Sequence, residues 1–295
     1  MTVMYLHFGE DVSICVQAYF SMLSFYKQFD ATDRMVVVTT SPHLFKRMDF
    51  AEIIPITNEV IEEWQGKHHF FWRAKIKAIE MVSSQYADDD LLYLDFDTFL
   101  YGDIHNIKQL LANGQGLMDV NDGHPSKRKF KPQRMWKTVA NRTYANITLG
   151  MQHDMWIAGV VGIPKAKMSQ VVTTALEICD GMLDDQAEPI VIEQYSLSIA
   201  MYEIAGLSPT QQWIAHYWKN KSQWIELIEG IMLRSFLSNA PVAEDIKAFD
   251  QISLKDIPIY IDKSNTNRRL KKLIDKILVN KDFRYINADT IYKKD

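Results

Sequence analysis

The chain has 295 residues, 47% hydrophobic and 24% charged, which excludes a collagenous, fibrous or largely disordered protein and leaves room for a sizeable core. With 33 Lys and Arg against 37 Asp and Glu the net charge is −4, so no global basic field holds nucleic acid and an anionic partner must be bound locally. Cys15 and Cys179 lie far apart in apolar helical patterns, which excludes a disulfide framework or a Cys-x-x-Cys metal site and fits a reducing compartment. The N-terminus lacks a basic segment ahead of a long apolar one. The longest apolar run, Met155–Ile163, is far below the roughly 20 residues that span a bilayer, so a cytoplasmic protein is expected, at most peripheral to a membrane.

In chain order, the periodicity predicts a strand at Val3–Phe8, a helix over Asp11–Phe29, a strand at Met35–Thr40, a short helix at Pro42–Met48 and a strand at Ile53–Ile56. A helix over His69–Ser84 then leads into Leu91–Asp95, a continuous apolar run of the kind a strand covered on both faces requires. This rhythm indicates βαβ units. In such sheets ligands bind outside the carboxyl ends of the strands, which singles out His7–Glu10, Thr39–Ser41 and Asp95–Asp97. Val120–Gln152 is polar, holds two prolines and a Lys/Arg cluster, and reads as a long loop, a lid that stays mobile until ligands bind. Regularity resumes with Met155–Ile163 and with helices over Ala166–Met182 and Pro189–Ala205. Beyond Trp224 the pattern weakens to a helical extension, and residues 267–278 form a basic amphipathic helix.

Chemistry concentrates at Leu91–Ile104. An Asp-x-Asp triplet alone says little, and Asp88 and Asp90 form another. Asp95 and Asp97, however, stand at the mouth of a buried strand, where two carboxylates are costly unless a cation neutralises them, and a divalent ion bound to a phosphate does so. Asp103 reads instead as a helix N-cap. Arg73 and Lys77 are i and i+4, on one helix face, and could reach a diphosphate, pair with Asp95 and Asp97, or serve as a solvated stripe.

The segment from Leu91 to Ile104 resembles the metal site of GT-A glycosyltransferases, especially glycosyltransferase family eight. Agreement continues in order at Phe71–Lys77, Trp156–Gly162, Glu193–Ser198 and His216–Trp224, so the resemblance covers about residues 1–224. This sequence departs from the family pattern at Ile157, where Asn is usual, at Lys219, where Gly is usual, and at Lys221, whose Lys comes one place early. The resemblance implies a GT-A α/β domain at 1–224, a Rossmann-like mixed sheet flanked by helices, followed by a mostly helical extension at 225–295. It implies a metal-dependent transferase that moves a sugar from a nucleotide donor, UDP-linked, to a hydroxyl of a glycan or lipid-linked acceptor.

On that resemblance Asp95, Asp97 and His216 are the metal ligands, Mn²⁺ or Mg²⁺, an imidazole tilting the choice towards Mn²⁺. Lys221, Arg73 and Lys77 are candidates for the diphosphate, and His7, Phe8, Gly9, Thr39, Thr40 and Ser41 lie where the base is expected. Glu193 and Gln194 face the sugar or acceptor as the catalytic candidates. Two other readings compete. Leu94–Leu100 also resembles the nucleophile motif of haloacid-dehalogenase-like phosphatases, with Asp184 and Asp185 as the later acidic pair, though that motif usually opens its domain. A third reading is a non-catalytic sugar-nucleotide-binding protein. Basic residues beside Phe130 and Trp136, and those around Leu270 and Leu273, further suggest weak, salt-sensitive peripheral membrane association.

Overall fold

The structure, a computed structural model, describes residues 1–254, 256–261, 270, 273 and 274. The chain divides into two units, Met1–Ile259 and Tyr260–Asp295, and the first carries the central sheet. The basic amphipathic segment expected at 267–278 lies outside the described residues save for 270, 273 and 274.

The chain begins with β1 (Thr2–His7), buried along its whole length. Then α1 (Val12–Tyr26) starts where the Asp11 side chain accepts from the Ser13 N–H, satisfying one of the unpaired donors of the first turn. β2 (Arg34–Thr39), β3 (Glu52–Pro55), α2 (Asn58–Trp64), α3 (Arg73–Gln85) and β4 (Leu91–Leu94) follow. After β5 (Thr98–Leu100) the Asp103 carboxylate caps α4 (Ile104–Ala112) by accepting from His105 N, as the sequence predicts. The next stretch holds β6 (Gly116–Met118), β7 (Asn121–Gly123), α5 (Lys131–Val139), β8 (Thr143–Tyr144), β9 (Ile147–Thr148), β10 (Met155–Trp156) and β11 (Val160–Ile163). The first unit closes with α6 (Met168–Asp184), α7 (Ile192–Ala205), β12 (Leu207–Pro209), β13 (Ile214–His216), α8 (Lys221–Ser238) and α9 (Val242–Asp250).

Seven strands form the main sheet in the order β12-β6-β11-β4-β1-β2-β3. The pairs are parallel except at β11, which runs antiparallel to both neighbours, so the sheet is mixed and flanked by helices, as expected. Period-two alternation splits the core between the two faces. Met4 and Leu6 of β1 join Ala74, Val171 and Leu197 from α3, α6 and α7. Val3 and Tyr5 join Ala18, Ile104, Trp224 and Phe249 from α1, α4, α8 and α9. From β1 the chain adds β2 and β3 on one side and β4 on the other, and the crevice at such a reversal, beyond the carboxyl ends of β1 and β4, is where an α/β sheet binds ligands.

Two expectations are corrected. Val120–Gln152 is no structureless loop: it holds α5, whose Met135 and Val139 are buried, and a short hairpin, β8 with β9. Pro132 sits in the first turn of that helix, where its missing N–H costs nothing. Met155–Ile163, a single apolar run in the sequence, is two strands interrupted at Ile157–Gly159. The helix expected from His69 begins at Arg73 and is preceded by α2, which buries Ile61 and Trp64, three residues apart on one face. Trp224 lies inside α8, fully buried against Phe99 (ring centroids 4.9 Å apart) and Tyr217 (5.7 Å). α8 and α9 bind α1 through Ser13 Oγ to Glu229 Oε1 (2.6 Å) and Tyr19 OH to Asp245 Oδ2 (2.6 Å). Among the described residues no helix is long and apolar enough to cross a membrane.

Candidate functional site

β4 delivers Asp95 to the sheet's reversal point. Its N–H donates to Gly159 O (2.8 Å) at the entry to β11, and its Oδ1 accepts from Tyr93 OH (2.7 Å). Two residues on, Asp97 is buried, and its carbonyl accepts from Tyr217 N (3.0 Å). That bond continues the β5–β13 ladder, in which Thr98 faces His216, and so brings the imidazole beside Asp97. His216 Nε2 lies 3.4 Å from Asp97 Oδ1, and Nδ1 lies 2.7 Å from Asp119 Oδ2. One ligand atom from each of Asp95, Asp97 and His216 falls within 4.8 Å of the others, close enough to share a cation.

Two ammonium groups complete the cluster. Lys221 Nζ is 2.8 Å from Asp97 Oδ2, on a side chain 53% exposed. Lys75, 5% exposed, points inward from α3, with Nζ 3.4 Å from Asp95 Oδ1, 3.1 Å from Glu193 Oε1 and 3.1 Å from Ala158 O. It also lies 5.0 Å from the centre of the Tyr93 ring. Glu193 opens α7 and is buried, while the neighbouring Gln194 accepts from Ala158 N through Oε1 (3.4 Å).

Burial and pairing pull these groups in opposite directions. Burial alone raises the Asp97 carboxyl, but the hydrogen bond and charge of His216, with Lys221, outweigh it and hold Asp97 well below the usual carboxylate range. Burial alone lowers the His216 imidazolium, but Asp119 and Asp97 outweigh it and push it up to about 10. The two shifts agree in describing an ion pair. Glu193 is raised by burial, and the Lys75 charge opposes the rise.

The donor set suits a divalent cation. Four carboxylates gather here against three cationic partners: Asp95 and Glu193 at Lys75, Asp97 at Lys221 and His216, and Asp119 at His216, so the acidic groups outnumber the basic ones. Carboxylate oxygens with one imidazole nitrogen match Mn²⁺ or Mg²⁺ better than a thiolate-seeking metal. Gly159 is part of the same fit, because a Cβ there would lie 2.1 Å from His216 Cε1.

The other sequence candidates are placed as follows. His7 and Thr39 are buried and bonded to each other (Nδ1 to Oγ1, 2.9 Å), with the imidazole edge-on to Phe45 and Phe96. Above them the ends of β1 and β2 are tied together: Gly9 N donates to Thr40 Oγ1 (3.1 Å), and Ser41 Oγ lies 2.7 Å from Gly9 O. Gly9 has φ +87 with open space where a side chain would stand, and Phe8 meets Phe71 edge to face. Arg73 is not gathered into the cluster. It makes a two-pronged pair with Asp180 of α6 (2.7 and 2.9 Å) and donates to Trp64 O, while Lys77 pairs with Glu80. Asp184 is held by Lys67 and His68, and Asp185 by Tyr144 and Arg142, so neither joins Asp95.

Sequence reasoning passed over Lys75, Tyr93, Asp119 and Gly159. Asp119 carried a usable signal, since it follows the apolar run Leu117–Met118 just as Asp95 follows β4.

No family model and no curated protein matches this chain. Among solved structures it is similar to the galactosyltransferase LgtC in complex with donor and acceptor sugar analogs, at 11% identity and TM-score 0.45, covering 71% of this chain and 73% of that one. It is also similar to mouse xyloside xylosyltransferase 1 in its apo form, at 12% identity and TM-score 0.45, covering 71% and 85%. An active-site mutant of LgtC gives 13% identity and TM-score 0.46, covering 71% and 72%.

Proposed function

We propose that this protein is a metal-dependent GT-A glycosyltransferase that moves a sugar from a nucleotide donor, UDP-linked, to a hydroxyl of a glycan or lipid-linked acceptor. The observation that carries the reading is the convergence of Asp95, Asp97 and His216 from two distant segments at the sheet's reversal point. Those three residues would hold Mn²⁺ or Mg²⁺, which when bound supplies Lewis-acid stabilisation of the departing diphosphate. Lys221, on an exposed stem, is free to turn from Asp97 to a phosphate oxygen. Glu193 and Gln194 would stand at the sugar or acceptor, with Lys75 fixing the Glu193 carboxylate. The base would rest at the tied ends of β1 and β2, near Phe8, Gly9 and Thr40. The UDP assignment comes from the resemblance of the sequence to glycosyltransferase family eight.

A thermal-shift panel of nucleotides with and without Mn²⁺ tests this. A ligand at 100 times its dissociation constant adds about 2.7 kcal/mol, and the expected result is a rise for UDP that requires the cation. No Mn²⁺-dependent rise for UDP, or turnover of a phosphate monoester instead, would count against it. We also propose weak peripheral membrane association through the basic residues beside Phe130 and Trp136, with Lys127, Lys129 and Phe130 exposed, and through the basic residues of the tail around Leu270 and Leu273. Flotation with anionic liposomes at low salt tests it. If the intact protein and one truncated before Asn267 both stay unbound, this role is dropped.

A further inference from the structure

We infer that Asp119 is a positioning residue for the cation site: it fixes the proton of His216 on Nδ1 and thereby turns the Nε2 lone pair towards Asp97 and Asp95. The inference rests on the metal-site reading above and adds to it a residue that the ligand set does not contain, since Asp119 is not among the three groups close enough to share an ion.

The geometry is specific. Asp119 Oδ2 lies 2.7 Å from Nδ1, with both side chains 6% exposed, so the contact is largely shielded from solvent. An ionised carboxylate can only accept, so the nitrogen that faces it must carry a proton. The other nitrogen makes the longer contact, 3.4 Å to Asp97 Oδ1, and is the one whose proton a metal would displace.

Asp119 can impose this because its own backbone is pinned on both sides. Its N–H donates to Ile157 O (3.3 Å), and its carbonyl accepts from Thr210 N (3.0 Å), so β6 is tied both to the segment before β11 and to the segment before β13. The face of the imidazole is set separately by Gly159, where even one methyl group would overlap Cε1. One residue therefore fixes the ring's plane and the other its proton.

The test uses the full chain and Mn²⁺ alone, with binding read by the electron paramagnetic resonance of free Mn²⁺. Asp119→Asn keeps an acceptor oxygen near Nδ1 and should retain most of the affinity. Asp119→Leu removes the acceptor and should lose roughly 10- to 100-fold, the usual cost of losing such an outer partner. Because the leucine variant could fail to fold, nitrogen-15 spectra of histidine-labelled wild-type protein with Mg²⁺ supply a second reading: Nδ1 should keep its proton and Nε2 lose its own. Wild-type Mn²⁺ affinity in a folded Asp119→Leu would overturn the inference and leave the metal site standing, whereas a proton found on Nε2 in the Mg²⁺ complex would overturn both the inference and His216 as a ligand. A wild-type protein that binds no Mn²⁺ would overturn the metal site itself.

Discussion

Gly159 and His216 occupy adjoining volumes with no room between them: a Cβ on residue 159 would come within 2.1 Å of the imidazole Cε1 and 2.6 Å of Nδ1. The glycine is thus required by a neighbour's ring rather than by its own backbone angles.

Gly159→Ala is therefore expected to push His216 off Asp119 and Asp97. Because Gly159 precedes β11 and its carbonyl still accepts from Asp95, the fold should survive. The expected outcome is a loss of Mn²⁺ affinity of roughly tenfold or more, as for other disturbed outer partners, with near-unchanged far-ultraviolet circular dichroism. Calorimetric titration with Mn²⁺ reads it.

The candidate site was legible in the sequence where chemistry overrode patterning. Asp95 and Asp97 stand out because carboxylates seldom end a fully apolar strand, and His216 because its flanking segment resembles a known family. Lys75 was hidden for a physical reason. Arg73 and Lys77 flank it at helical spacing, and a lysine is expected to face water; only the two carboxylates inside reverse that preference, and they come from 20 and 118 residues further along the chain. α5 was hidden by composition, since Pro132 and the surrounding cations read as loop, although a proline in the first turn and the Met135–Val139 pair are also how an amphipathic helix begins.

Lys75→Met should unbalance the interior. Asp95 and Glu193 would lose the ammonium between them, and Glu193 is buried. Removing one partner of a buried pair costs about 3–5 kcal/mol. Urea denaturation of the two proteins at neutral pH gives the difference, and a change within about 0.5 kcal/mol, the range of an ordinary surface substitution, would show that the carboxylates are compensated otherwise.

Stability in the presence of a chelator should depend on pH through the His216–Asp97 pair. The folded imidazolium titrates at about 10 against an ordinary 6.5, so its contribution is complete below pH 6.5 and is lost as pH rises through 10. Asp97 is lowered, so its contribution is complete above the ordinary carboxylate range and is lost only as pH falls through its depressed folded value. Between pH 6.5 and 9 the wild type should therefore lose more stability than His216→Asn, by on the order of 2 kcal/mol. Parallel curves for the two proteins would refute the pairing.

Arg73 and Lys221 should separate cleanly. Arg73→Ala breaks the link between α3 and α6 and should lower the melting temperature while leaving UDP affinity with Mn²⁺ unchanged. Lys221→Ala removes a largely exposed side chain and should do the reverse, with little thermal effect and weaker UDP binding. Isothermal titration beside a melting curve for each variant distinguishes the two roles.

The central claim is that Asp95, Asp97 and His216 hold one divalent cation that a nucleoside diphosphate completes. Anomalous diffraction from a crystal grown with Mn²⁺ and UDP measures it directly. The expected result is a single manganese peak roughly 2 Å from an oxygen of each aspartate and from His216 Nε2, in contact with the UDP phosphates. A peak elsewhere, or UDP bound at the carboxyl ends of β1 and β4 with no manganese between these three residues, would contradict it.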